Sequence, residues 1–156
     1  MKTRFICLFG ISFLLYFITM PYFFLERSLE KYLSIIGSVL AIITGISLLG
    51  VAFTPYDVYP SEHFNFVRIA FLSLFLAMAI YAIITFLNKE YPIQYAIIFL
   101  LFSLIIGVYI IILSKYADLR KNEILLFQAT LQKIVIYAWT ITFFIESYGS
   151  WKLVKS

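Results

Sequence analysis

The sequence predicts an all-α polytopic membrane protein, a bundle of about five transmembrane helices, and three observations carry that reading. Hydrophobic residues make up 63% of the 156-residue chain and charged residues only 13%, whereas soluble globular domains run near one half and one quarter. Mean hydropathy is +1.00. Apolar runs of about twenty residues, the length that carries a helix across roughly 30 Å of hydrocarbon, recur between short polar breaks. A chain of this composition takes a bilayer as its solvent and forms one transmembrane domain.

The first segment covers residues 5–24, behind the basic start Met1-Lys2-Thr3-Arg4. Its apolar run outlasts a signal core and shows no small-x-small cleavage site, so it reads as an uncleaved span whose exit end Pro21 marks or bends. A short charge-balanced connection leads into the second segment, residues 32–53. There Gly37, Ala41 and Gly45 recur every four residues on one helical stripe, the spacing that lets another helix approach the backbone closely. The connection that follows holds Pro55 and Pro60, which forbid a regular helix through it, and Ser61 is placed to cap the next helix.

The third segment, residues 66–87, carries a second small-residue stripe in Ala70, Ser73, Ala77 and Tyr81. Asn88-Lys89-Glu90-Tyr91-Pro92 is a tight turn before the fourth segment, residues 93–113, where Ser103 and Gly107 are again four apart. A basic connection over 114–122 precedes the fifth segment, residues 123–145, and a short polar tail closes the chain.

The net charge of +4 is the excess of twelve Lys and Arg over eight Asp and Glu, and all the cations but Lys133 are scattered over loops and span ends. No basic stripe forms, so nucleic acid is not an expected partner, and the cations read as topology determinants and contacts for anionic lipid. With the amino terminus inside, six of them (Lys2, Arg4, Arg68, Lys115, Arg120, Lys121) fall inside against five outside (Arg27, Lys31, Lys89, Lys152, Lys155). This leans toward a cytoplasmic amino terminus. With no clear organellar signal the plasma membrane of a prokaryote is the expected location, and a eukaryotic internal membrane is the alternative. Cys7 is the only cysteine and His63 the only histidine; this excludes an intrachain disulfide, a Cys/His zinc site and bis-histidine haem, and no cofactor or metal is expected. Cys7 reads as a small packing residue. Tyr16, Tyr22, Tyr32, Tyr56, Tyr59, Tyr91, Tyr148 and Trp151 fall near span ends, where amphipathic rings anchor at the interface, while Tyr137 and Trp139 are deeper and expected to face the bundle or line a cavity.

Two groups stand out as candidates for chemistry. Lys133 falls near the centre of the fifth segment, where a charge costs roughly 2.5–3.5 kcal/mol even on lenient insertion scales unless it is paired, hydrated or snorkelled. Gln128 and Gln132 lie four apart beside it, and Lys133, Tyr137 and Thr140 follow at helical spacing, so one broad polar side is expected to face the bundle or another subunit. Interhelical hydrogen bonds and ion pairs, a bound lipid phosphate, and translocation of a proton or solute would each use such a side. The second group is Asp57, Glu62, His63 and Arg68 at the membrane edge. Two carboxylates beside an imidazole suit acid–base or headgroup contacts, yet Glu62-His63 lacks the repeated histidine of zinc hydrolases, and neither a Gly-x-Ser-x-Gly turn nor a phosphate-cradling glycine loop occurs. The structural alternative has Asp57 bracing the turn, His63 bonded to backbone or lipid, and Arg68 snorkelling or pairing with Asp57 or Glu62.

The stretch Gly50-Val51-Ala52-Phe53-Thr54-Pro55-Tyr56-Asp57, followed by Glu62-His63 and an apolar span, resembles the central signature of the Frag/DRAM/Sfk and DUF-type group of small membrane proteins. The similarity covers residues 35–86 best, and the later helices match in hydropathy alone. It implies a six-helix fold, with Pro55, Asp57 and His63 as functional or fold-defining positions and roles in membrane lipids, GPI-anchor remodelling or autophagy; this chain is one helix shorter at its amino-terminal side.

The expected function is therefore a non-enzymatic integral membrane protein that binds membrane lipids or stabilises a membrane protein complex. One alternative is a channel or transporter subunit, which needs other subunits or self-association to complete a polar path. Another is a membrane-embedded lipid-modifying enzyme, which needs His63 to converge with Asp57 or Glu62 on one cleft.

Overall fold

The computed structural model describes residues 2–24, 28–116 and 122–154, with side chains over 10–24, 28–115 and 126–152. Cys7 and the outermost cations Lys2, Arg4, Arg27, Arg120, Lys121 and Lys155 lie outside the described side chains. Five helices follow one another: α1 (Lys2–Thr19), α2 (Ser28–Phe53), α3 (Pro60–Leu87), α4 (Ile93–Tyr116) and α5 (Asn122–Val154), with a 3₁₀ turn at Met20–Phe24 closing α1.

Prolines and polar turns set these boundaries. Pro21 supplies no N–H to the α1 ladder, and the helix tightens to 3₁₀ around it. The connection between α2 and α3 is closed by backbone, with the Val58 and Tyr59 N–H groups both donating to the Pro55 carbonyl. Asp57, expected to brace it, is exposed. Pro60 opens α3 as its first residue, where a missing N–H costs nothing, so α3 begins a turn and a half before the sequence expectation. The cap residue is Tyr59, with no side-chain cap bond, and Ser61 does not fill that role. At the far end Asn88 leaves helical geometry and its Oδ1 accepts from the Glu90 N–H at 2.9 Å, an Asx turn that reverses the chain into α4.

The protein is an all-α, multi-span membrane-embedded bundle, but not all five expected spans qualify by length and composition. Among the described residues three helices are long and apolar enough to cross a membrane: α2, α3 and Ile93–Lys115 of α4. The described apolar part of α1, Gly10–Phe24, is shorter. Gln128, Gln132, Lys133 and Glu146 dilute α5 over its 33 residues. Nevertheless α5 runs the length of the bundle, with Gln128 beside Leu113 at the end of α4 and Gly149 against Tyr95 at its beginning.

The α2–α3 pair forms the centre. Gly37 meets the Tyr81 ring, where an added Cβ would lie 3.0 Å from Cε2. Ala41, Ala70 and Ala77 are buried between the helices. Thr44 and Ser73 join side chain to side chain at 2.8 Å, and Ser38 joins the Tyr81 hydroxyl at 2.6 Å. Gly45, on the same stripe of α2, instead receives Leu14 of α1. On α4, Ser103 donates to the Phe75 carbonyl of α3 at 3.4 Å, and Gly107 lies under the Phe75 ring. Small residues thus admit either a neighbouring backbone or one large side chain, the packing available where lipid tails are as apolar as leucine. The opposite faces expose Ile36, Val39, Leu101, Leu104, Val108 and Ile111 to the surroundings, as a bilayer requires.

Candidate functional site

A cleft of about 200 Å³ opens at the bundle end that carries the α2–α3 connection. Its lining brings together residues distant in sequence: Tyr56 from the connection, His63, Phe64 and Val67 from the first turns of α3, Tyr109 and Leu113 from the end of α4, and Gln128, Ala129 and Gln132 from α5. Three of the polar candidates, His63, Gln128 and Gln132, therefore line one cleft. The His63 ring is held from behind, because its Nδ1–H donates to the Thr54 carbonyl at 2.6 Å. A carbonyl only accepts, so this bond places a proton on Nδ1 and leaves Nε2 as the ring nitrogen available to other partners. Tyr56 stands edge-on to both His63 and Phe64, with ring centroids 6.0 and 5.5 Å away.

Asp57, Glu62 and Arg68 are exposed, and none of them lines the cleft. The convergence of imidazole and carboxylate that an enzymatic reading needs is not formed by these residues. Among the described residues no three His, Cys, Asp or Glu side chains are grouped to hold a metal.

Lys133 and Tyr137 are expected to face the bundle or another subunit, and within this chain they do not face the bundle. Lys133 is exposed and Tyr137 is 70% exposed, while Val135 and Trp139 point inward. At 3.6 residues per turn, two positions differ by about 200°, so a helix that buries Val135 and Trp139 must turn Lys133 and Tyr137 outward. The polar residues of α5 thus split into two stripes: Gln128 and Gln132 toward the cleft, Lys133 and Tyr137 toward the surroundings.

The anchor assignment also divides. Tyr22, Tyr32, Tyr59, Tyr148 and Trp151 are exposed, as anchors are, but Tyr91 is buried and the Tyr16 hydroxyl is enclosed. These two meet α5 at Glu146, which in the sequence follows the fifth apolar run and falls in the polar tail. Glu146 is only 1% exposed, and neither of its carboxyl oxygens has a hydrogen-bond partner among the described residues. Beside it the Tyr91 hydroxyl and Ser150 Oγ bond each other at 2.9 Å. The Tyr16 hydroxyl lies near Ser150 without reaching hydrogen-bond geometry. Burial pushes the Tyr91 phenol above its ordinary value, and the Ser150 bond pulls it part of the way back.

A signal for Glu146 was present in the sequence. Val135, Trp139, Thr142, Glu146 and Gly149 are spaced by alternating fours and threes, the period of an inward helical stripe, and that period continues through Glu146 although the hydropathy falls there.

No family model, curated protein or solved structure matches this chain, so the residue roles implied by the Pro55, Asp57 and His63 motif gain no support from a relative.

Proposed function

We propose that this protein is a non-catalytic membrane protein whose cleft receives the headgroup of an anionic phospholipid. The observation that carries the reading is the composition and place of the cleft. Hydrogen-bonding groups of His63, Gln128, Gln132 and Tyr56 stand at one end of an apolar bundle, and two exposed cations, Arg68 and Lys133, each directly follow a lining residue, Val67 and Gln132. About 200 Å³ holds a headgroup and not a whole lipid, which leaves the acyl chains to lie along the apolar outer faces. Lys133 then needs no partner within the chain, because its long stem carries the ammonium toward the phosphate layer.

A basic residue at the membrane surface is worth about 1 kcal/mol toward anionic lipid, or about fivefold in affinity. Native mass spectrometry from mild detergent is expected to show a retained lipid of defined headgroup mass. Occupancy should fall about fivefold in Lys133→Ala and further in the double variant with Arg68→Ala. Unchanged retention in the double variant sinks the headgroup reading. A second reading, a complex subunit, draws on the exposed stripe Tyr137, Ile141, Phe144, Tyr148 and Trp151 on α5, and a co-retained polypeptide with no lipid of fixed mass would favour it.

The same reading has α1 and α5 cross alongside the three apolar helices, with a cytoplasmic amino terminus in a prokaryotic plasma membrane. Single cysteines replacing Thr3, Ser28, Ser114 and Ser156 in a Cys7→Ser background test each crossing separately. A membrane-impermeant maleimide applied to cells is expected to label positions 28 and 156, and to reach 3 and 114 only after permeabilisation. Labelling of 3 and 28 from one side removes α1 as a span; labelling of 114 and 156 from one side removes α5.

A further inference from the structure

At the opposite end of the bundle from the cleft, Glu146 sits in a setting that lipid binding does not use. Side chains bearing oxygen meet there from three elements: Tyr16 of α1, Tyr91 of the turn before α4, and Glu146 and Ser150, one helical turn apart on α5. Among the described residues, both Glu146 oxygens and the Tyr16 hydroxyl are buried without a hydrogen-bond partner, whereas Tyr91 and Ser150 bond each other at 2.9 Å. Among the described residues, the groups that act electrostatically on Glu146 and its neighbours are phenols. Tyr16 and Tyr91 face Glu146, Tyr95 of α4 stands beside Tyr91 and over Gly149, and Tyr81 of α3 reaches toward Tyr16. The described cations closest in sequence to the cluster, Lys89 in the turn and Lys152 on α5, are exposed.

An ionised carboxylate so enclosed, with neither a hydrogen bond nor a countercharge among the described residues, is not sustained in a low-dielectric interior. One unit of positive charge restores neutrality. A divalent ion would leave a net charge and would call for further carboxylates, and a transition metal would call for nitrogen or sulfur ligands that are not among these side chains. The unpartnered oxygens mark a place where a small species completes the set.

We propose that Glu146, with Tyr16, Tyr91 and Ser150, forms a buried site for one exchangeable unit of positive charge, a proton or a sodium-sized alkali cation. Exchange would occur at the bundle end that carries the Asn88–Pro92 turn, where this cluster lies.

A hydrophobic carbodiimide tests this on the intact protein in detergent. A protonated carboxyl gives its proton to a carbodiimide nitrogen as its oxygen bonds the central carbon. The acyl group then shifts to nitrogen, leaving a stable N-acylurea that carries the whole reagent with no leaving group. Peptide mass analysis is expected to find this adduct on Glu146 in large excess over the exposed Glu62 and Glu90. The yield should fall about tenfold per pH unit above its midpoint. A fall that depends on pH and is indifferent to sodium chloride against choline chloride assigns the site to a proton; additional protection by sodium assigns it to the alkali cation. Tyr16→Phe should move the midpoint or the sodium dependence while leaving the folded fraction unchanged. Glu146 labelling no greater than that of Glu62 and Glu90, or labelling that ignores both pH and sodium, overturns the proposal.

Discussion

Replacing Tyr81 by alanine is expected to lower the stability of the folded bundle by about 3–5 kcal/mol, the cost of removing a large buried aromatic without refilling its space. The ring is fully buried and touches four elements at once. Its centroid lies 5.3 Å from Phe17 of α1, 6.3 Å from Phe24 of the 3₁₀ turn and 5.8 Å from Phe99 of α4, and it fills the space left by Gly37 of α2. In a bilayer the helices gain little from leaving lipid, so their association rests on such close packing, and a void at this junction loosens α1, α2 and α4 together. Tyr81→Phe separates ring from hydroxyl. It removes the contact with Ser38 at 2.6 Å and the donation to the Ser34 carbonyl at 3.1 Å. Ser38 still donates to the Phe17 carbonyl at 2.6 Å, so the expected cost is only about 1 kcal/mol. Titration of the purified protein from mild detergent into denaturing detergent, followed by loss of helix, measures both. Equal costs for the two variants would mean that the hydroxyl network and not the ring holds the centre.

The helical class and the connections were legible in the sequence because run length and proline report them directly. A bilayer asks for about twenty apolar residues, and Pro55, Pro60 and Pro92 each stand where a helix stops or starts. The small-residue stripes announced close approach, but they did not say to whom. Gly37 and Gly45 share one stripe of α2, yet the first takes a tyrosine of α3 and the second a leucine of α1. That choice is made by the partner helices, whose own stripes are equally permissive.

Helix α5 was the least legible element. Its polar residues were visible as residue types, but hydropathy cannot tell an inward polar residue from an outward one. The inward set is fixed by the phase of Val135 and Trp139, with Trp139 edge-on to Phe13 of α1 at 4.7 Å. That phase places Gln128 in the cleft and Glu146 in the far cluster while turning Lys133 outward. A reading that weighs charge before phase therefore picks Lys133 as the buried anomaly and passes over Glu146. The cleft was half legible: His63, Gln128 and Gln132 were singled out separately, but only the tertiary fold joins them.

The second large effect is expected at Gly45, where α1 docks on α2. A Cβ there would lie 2.5 Å from Leu14 Cδ2 and 2.7 Å from its Cγ, distances that real side chains do not share. Since Cγ as well as the methyl is too close, a rotation of the leucine tip does not clear the space, and either Leu14 leaves its pocket or α1 shifts. Overpacking of this kind costs about 1–3 kcal/mol for alanine, and leucine at the same position should cost more and release α1. Gly10, on the other side of the same interface, supplies the control. A Cβ at Gly10 meets nothing nearer than Leu49 Cδ2 at 3.5 Å, an ordinary contact. Gly10→Ala should therefore be neutral or stabilise by up to about 0.5–1 kcal/mol, the gain of replacing a helical glycine. The two alanine variants, unfolded in parallel by the same detergent titration, are expected to move in opposite directions or differ by at least about 1 kcal/mol. If both cost the same, glycine serves α1 and α2 through the backbone of each helix and not through the fit between them, and the docking of Leu14 against Gly45 is not what holds α1 in place.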